Sequence, residues 1–156
     1  MRNDSARLNE LRRLLILDST KEKAYDDITQ LLATSLDVPI AMINFLDAER
    51  DWFKSSVGLR QTQGPVGTSF CEGFFQSDDD LIVSNDTTVD PRYSSNPLVA
   101  GEPFIRFYAG ARLTVSGHTV GTLCVYDIRP RSISPAQMKH IQMLAQDVLT
   151  LMASRG

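Results

Sequence analysis

Cysteine and histidine each occur only twice in this chain, and tryptophan once. With no CxxC pair and no Cys/His cluster, neither a disulfide framework nor a structural zinc site can be assembled, so reduced thiols are expected. Basic residues are also in short supply, 16 Lys and Arg against 19 Asp and Glu, for a net charge of -3. That balance gives no positive field for a phosphate backbone, and nucleic acid is not an expected partner. No uncharged apolar run is long enough to span a bilayer. The amino terminus, MRNDSARLNELRRLLIL, mixes acids with its bases and has no small-residue cleavage site, so neither a membrane anchor nor a targeting peptide is expected and a cytoplasmic location follows. What is left is one domain over residues 1–156, large enough to bury roughly 70% of the surface its unfolded chain exposes.

Leu8, Leu11, Leu14, Leu15 and Leu17 recur near helical spacing and predict an amphipathic helix over about residues 4–17. Ser19 with Glu22 has capping-box spacing and predicts a second helix carrying Tyr25, Ile28, Leu31, Leu32 and Leu36, ending before Pro39. IAMINFLD and DWFKSSVG predict a hairpin, and LIVS at 81–84 a further strand. DTTVDPRYSSNPLVAGEP, rich in Asp, Asn, Ser and Pro, predicts a long surface excursion of turns. IRFYAGARLTV and HTVGTLCVYD around Ser116 and Gly117 predict a second hairpin. With those two as turn residues, Arg106 is expected opposite Asp127 as an ion pair, and Ala109 opposite Cys124. Ser134, Pro135 and Gln137 predict the capped start of a last helix with Met138, Ile141, Leu144, Ala145, Val148, Leu151 and Met152 on its apolar side. Helices set apart from a mainly antiparallel sheet define an α+β sandwich.

ILDSTKEKAYDDITQLLATSLDVPIAMINFLDAERDWFKSSVGL, SFCEGFF, VSNDTTVDPRYSSNPLVAGEPFIRFYAGARL and GHTVGTLCVYDIRPRSIS together resemble a GAF domain of the bacterial sensory subgroup with SFC, DPR, NPLV and FYAG motifs. The resemblance covers nearly the whole chain, with a core of about residues 19–153 behind the first helix. It implies a PAS-related fold: a central antiparallel sheet with terminal helices packed on one face and a loop-roofed small-molecule pocket on the other. It also implies a non-catalytic sensory role, stand-alone or in a larger histidine kinase, diguanylate cyclase or phosphodiesterase. A homodimer through the terminal helices, binding an unidentified small molecule, is the accompanying expectation; no cofactor is named by any motif.

Cys71 is the residue on which an enzymatic reading would turn. A nucleophilic thiol needs an electropositive neighbour or a base within hydrogen-bond reach, whereas Cys71 has Phe70, Glu72, Phe74 and Phe75 around it and both histidines, His118 and His140, far along the chain. Packing is the expected role for it and for Cys124. A free methionine sulfoxide reductase-like, cysteine-dependent enzyme is the alternative, and a ligand-free dimerisation module with a pocket filled by phenylalanines is another. Bilin attachment does not fit, because Cys71 is followed by Glu72 and not by histidine, and no NKxxFxxxDE cyclic-nucleotide pattern is present. Candidate ligand-binding residues are Asp86, Asp90, Arg92, Tyr93, Asn96, Arg106 and Tyr108 as the polar set, with Phe70, Cys71 and Trp52 as walls. Local turn formation is the competing role for Asp86 and Asp90, with Arg92 pairing a nearby carboxylate.

Overall fold

The computed structural model describes residues 1–154. Six strands form one antiparallel sheet in the order β3-β2-β1-β6-β5-β4. They are β1 (Ile40–Leu46), β2 (Arg50–Val57), β3 (Gln63–Pro65), β4 (Leu81–Ser84), β5 (Phe107–Val115) and β6 (His118–Asp127). The pairing of β1 with β6 joins the two hairpins edge to edge. The helices are α1 (Ser5–Arg13), α2 (Lys23–Leu36), the single turns α3 (Gly73–Gln76) and α4 (Pro97–Ala100), and α5 (Pro135–Ala153).

Strand alternation divides the core into two layers. Ala41, Ile43 and Phe45 of β1, with Leu113, Leu123 and Val125, meet Leu32, Leu36, Ile141 and Val148 of the long helices. Ile40, Met42 and Leu46 point the other way and meet Phe70, Phe74, Tyr93, Tyr108, Cys124 and Tyr126. Each fully buried side chain of this size contributes about 1.5–3 kcal/mol relative to exposure, so both layers hold the sheet.

The helix boundaries shift from the sequence expectation where local capping decides. Helix α1 stops at Arg13, and Leu15 beyond it takes a positive φ of 54°. Ser19 does not cap α2: the helix begins four residues later behind Glu22, without a side-chain cap. The Ser19 hydroxyl instead donates to the Ile16 carbonyl and accepts from Lys54. α5 starts as expected, with the reciprocal Ser134 and Gln137 bonds of a capping box. Strand β3 was not foreseen, since Gln63-Gly64-Pro65 carries no strand signal of its own and pairs only because β2 presents an open edge.

The second hairpin closes at Val115 and His118 as expected, but a bulge between Leu113 and Thr114 shifts its upper part by one residue. Asp127 therefore lies opposite Phe107, and Cys124 opposite Gly110. The expected Arg106–Asp127 ion pair is not made. Asp127 pairs with Arg131 at 2.8 Å, while the Arg106 guanidinium donates to the Val99 carbonyl at 2.8 Å.

Candidate functional site

A cavity lies on the sheet face opposite the long helices, over β1, β2 and β6. It is small, with a volume of about 70 Å³. Ile40, Met42 and Tyr126 form its floor, Phe53 and Phe70 its sides, and Leu98, Pro103 and Ile105 its cover. The walls are chiefly apolar, and the polar groups collect in one corner made by Asn44, Asp51, Thr68 and Ser69.

That corner follows from two strands. Asn44 sits among apolar residues of β1 yet is only 1% exposed, and a β-bulge between Ile43 and Asn44 sets it opposite Phe53. Its Nδ2 donates to Asp51 Oδ2 at 3.3 Å and to Cys71 Sγ at 3.5 Å. Asp51, 4% exposed, is reached from behind by Arg2, whose guanidinium nitrogen stands 2.9 Å from Oδ1. The same guanidinium binds Glu72 at 2.5 Å, donates to the Asp47 carbonyl and to the Ser69 hydroxyl, and so ties the amino terminus to the β1–β2 turn and the cavity rim. Burial holds the Asp51 carboxyl above the usual carboxylate range in spite of Arg2.

Behind the Phe70 wall stands a cluster of aromatic rings. Phe70 stacks against both Tyr93 and Tyr108, with centroids 5.2 and 5.4 Å away, and meets Tyr126 edge-on at 5.3 Å, while Tyr93 and Tyr108 are themselves 5.4 Å apart. The Tyr93 hydroxyl donates to the Phe70 carbonyl at 3.2 Å. Tyr108 is fully buried, its hydroxyl 3.7 Å from Cys71 Sγ and 3.4 Å from Cys124 Sγ. Both thiols also contact the Thr122 hydroxyl, at 3.2 and 3.0 Å. The hydrogen bond to Cys124, together with burial, pushes the Cys71 thiol well up, the opposite of nucleophilic activation.

Of the candidates read from the sequence, only Phe70 lines the cavity. Tyr93, Tyr108 and Cys71 form the layer directly behind it. Asn96 caps α4 through the Leu98 amide and donates to the Thr68 and Ser69 carbonyls, which positions cover against rim. Asp86 caps a short turn through Thr88, and Asp90 pairs with Arg92 at 2.7 Å, so these three fix the excursion locally. Arg106 braces the same loop at Val99. Trp52 lies on the opposite face, in the helix-side layer, with the Lys21 ammonium 4.6 Å from its ring centre. Asn44, Asp51, Ser69 and Arg2, which build the polar corner, are not among those candidates. The available signal was polar residues interrupting apolar strands, in INFLD and RDWF.

The comparisons with known proteins agree with this architecture. The chain is 38% identical over 139 residues to a cyclic di-GMP phosphodiesterase of Pseudomonas aeruginosa. The match takes in 88% of this chain but only 23% of that protein, so the chain spans less than a quarter of this relative's length. In fold it matches the GAF domain of an Acinetobacter phosphoenolpyruvate-protein phosphotransferase with a TM-score of 0.70 at 19% identity, covering 97% of this chain and 95% of that one. It also matches the free methionine-R-sulfoxide reductase of Neisseria meningitidis at 0.68 and 15% identity, over 98% and 93% of the two chains. The family model for the GAF domain fits residues 20–150. With sheet order, helix placement and this match in agreement, the chain belongs to the GAF domain family.

Proposed function

We propose that this chain is a non-catalytic sensory or regulatory domain of bacterial signal transduction that holds a small molecule in the cavity over β1, β2 and β6. The observation that carries the reading is the cavity's construction, apolar walls with one buried polar corner, which is how orientation-specific small-molecule sites are built. Occupancy reaches the helices through β2, whose alternate residues face the two layers: Asp51 and Phe53 the cavity, Trp52 and Lys54 the helix side. The output is then a kinase-, cyclase- or phosphodiesterase-type domain or partner, in keeping with the phosphodiesterase relative. A cysteine-dependent reductase is the weaker reading, because Cys71 is fully buried and, among the described residues, no cationic side chain is bonded to it.

Self-association through the terminal helices belongs to this reading only by way of a few exposed apolar residues, notably Met143 on α5 and Leu15 just beyond α1, with Leu31 on α2. The rest of the leucine-rich surface expected to meet a second subunit is packed within the monomer. Light scattering that returns the monomer mass at micromolar concentration removes the dimer from it. The sensory reading itself is tested by mass spectrometry of gently purified protein after denaturation. A stoichiometric small molecule supports it, and an empty cavity that no metabolite fraction stabilises against heat refutes it.

A further inference from the structure

Charge decides what the cavity can hold. Among the described residues, Asp51 is the one charged side chain lining it, and no lysine, arginine or histidine joins it there. An anionic ligand would give up its hydration without gaining an opposite charge, and would face a carboxylate besides. On the far side the guanidinium of Arg2 is shared between Asp51 and Glu72, and Glu72 also feels the charge of Arg7, so the cation in direct contact with Asp51 is already divided.

A second, independent observation points the same way. Asn44 is 1% exposed and lines the cavity, yet its Oδ1 has no hydrogen-bond partner. Its Nδ2 is turned to Asp51 Oδ2 and Cys71 Sγ, which leaves Oδ1 as the unpartnered end of the amide. A buried carbonyl oxygen left without a donor is unfavourable, and a donor supplied by a ligand recovers that cost. The groups that call for a partner in this corner are thus acceptors, one of them charged.

We infer that the cavity takes a small molecule with a compact apolar or aromatic body and a cationic, hydrogen-bond-donating head, an ammonium, amidinium or guanidinium, seated against Asp51 and Asn44. The body meets Ile40, Met42, Phe53, Phe70 and Tyr126. The inference rests on the reading of the cavity as a ligand site, and it excludes anionic nucleotides from that site. It also gives Arg2 a role: its guanidinium already holds Asp51 from outside the cavity, so a bound cation and Arg2 draw on the same carboxylate. Occupancy then loosens the amino-terminal segment.

Three probes of one shape and different charge test this: benzamidine, benzamide and benzoate, titrated into the full chain and followed by backbone amide shifts. Benzamidine is expected to move the amides of residues 40–44, 51–53 and 68–70 and to bind at least about tenfold more tightly than benzamide, equivalent to ~1.4 kcal/mol, with benzoate silent. Asp51→Asn should bring benzamidine down to the benzamide level. Since that variant also strips Arg2 of a buried partner, Arg2→Met provides the complementary case: it leaves the carboxylate in place, and benzamidine should bind several-fold more tightly. Benzoate binding in the cavity as well as benzamidine, or full benzamidine affinity in Asp51→Asn, overturns the cationic inference and leaves the cavity a ligand site. No shift at these amides with any probe at millimolar concentration overturns the ligand site itself.

Discussion

At the scale of single residues, the aromatic layer behind the cavity explains both the burial of the two thiols and the FYAG motif. Tyr108 and Gly110 point to the same face of β5, and the Tyr108 ring lies over position 110 so closely that a Cβ there would stand 2.2 Å from its hydroxyl oxygen. Glycine is needed for room, and Gly110→Ala is expected to displace the ring from between the two thiols and destabilise the fold by about 1–3 kcal/mol, the usual range for overpacking. Equilibrium urea unfolding measures it, and an unchanged midpoint would show that the ring has another resting place. Burial also raises the phenol pKa of Tyr93, Tyr108 and Tyr126. A raised native pKa means that the native state keeps its protons where the unfolded state sheds them, so stability is intact below about pH 10 and falls as pH rises beyond it. Ultraviolet difference titration should therefore show these three phenols ionising together with unfolding. Gradual ionisation with the fold intact would mean that the layer admits water.

At the scale of elements, legibility follows how local the determining physics is. The α5 start was readable because Ser134 and Gln137 cap each other within one turn, and Ser134→Ala should cost about 1 kcal/mol, seen as a melting temperature lowered by about 3 °C; no change would mean that Pro135 alone fixes the start. The two hairpins were readable from their β-branched and aromatic runs and, in the second, from the Ser116-Gly117 turn. The bulges were not. The extra residue Lys54 of β2 opposite 43/44 and the slip at 113/114 leave no mark in the residue types around them, and one slip was enough to replace the expected Arg106–Asp127 pair with Asp127–Arg131. The site suffered most from this. The Asp- and Asn-rich excursion looked like a ligand cradle, but Asp86, Asp90 and Asn96 spend their side chains on turns and caps. The cavity's polar corner instead came from Asn44 and Asp51, whose meeting requires the β1–β2 register, and from Arg2, some 50 residues away.

At the scale of the whole molecule, the question is how a change at the cavity reaches the helices, and the bulge in β2 supplies a physical route. Ser55 pairs with Ile43 and Phe53 with Asn44, which leaves Lys54 as the extra residue and lets both Lys54 and Ser55 face the helices. Ser55 meets Thr29 and Asp26 of α2. Lys54 is fully buried; its ammonium donates to Ser19 and to the Thr20 carbonyl, and pairs with Glu22 at 2.6 Å. The segment between α1 and α2 is thereby fastened to the strand that carries Asp51 and Phe53. Lys21 adds a second fastening, onto the Phe53 carbonyl. Lys54→Met keeps the apolar volume of the stem and removes the donors; it is expected to cost about 2 kcal/mol and, more diagnostically, to release one region before the rest. Hydrogen exchange should quicken across residues 14–22 while the amides of β5 and β6 keep their protection. If exchange instead quickens evenly over the whole chain, Lys54 is holding the fold in general and the connection between cavity and helices does not pass through it.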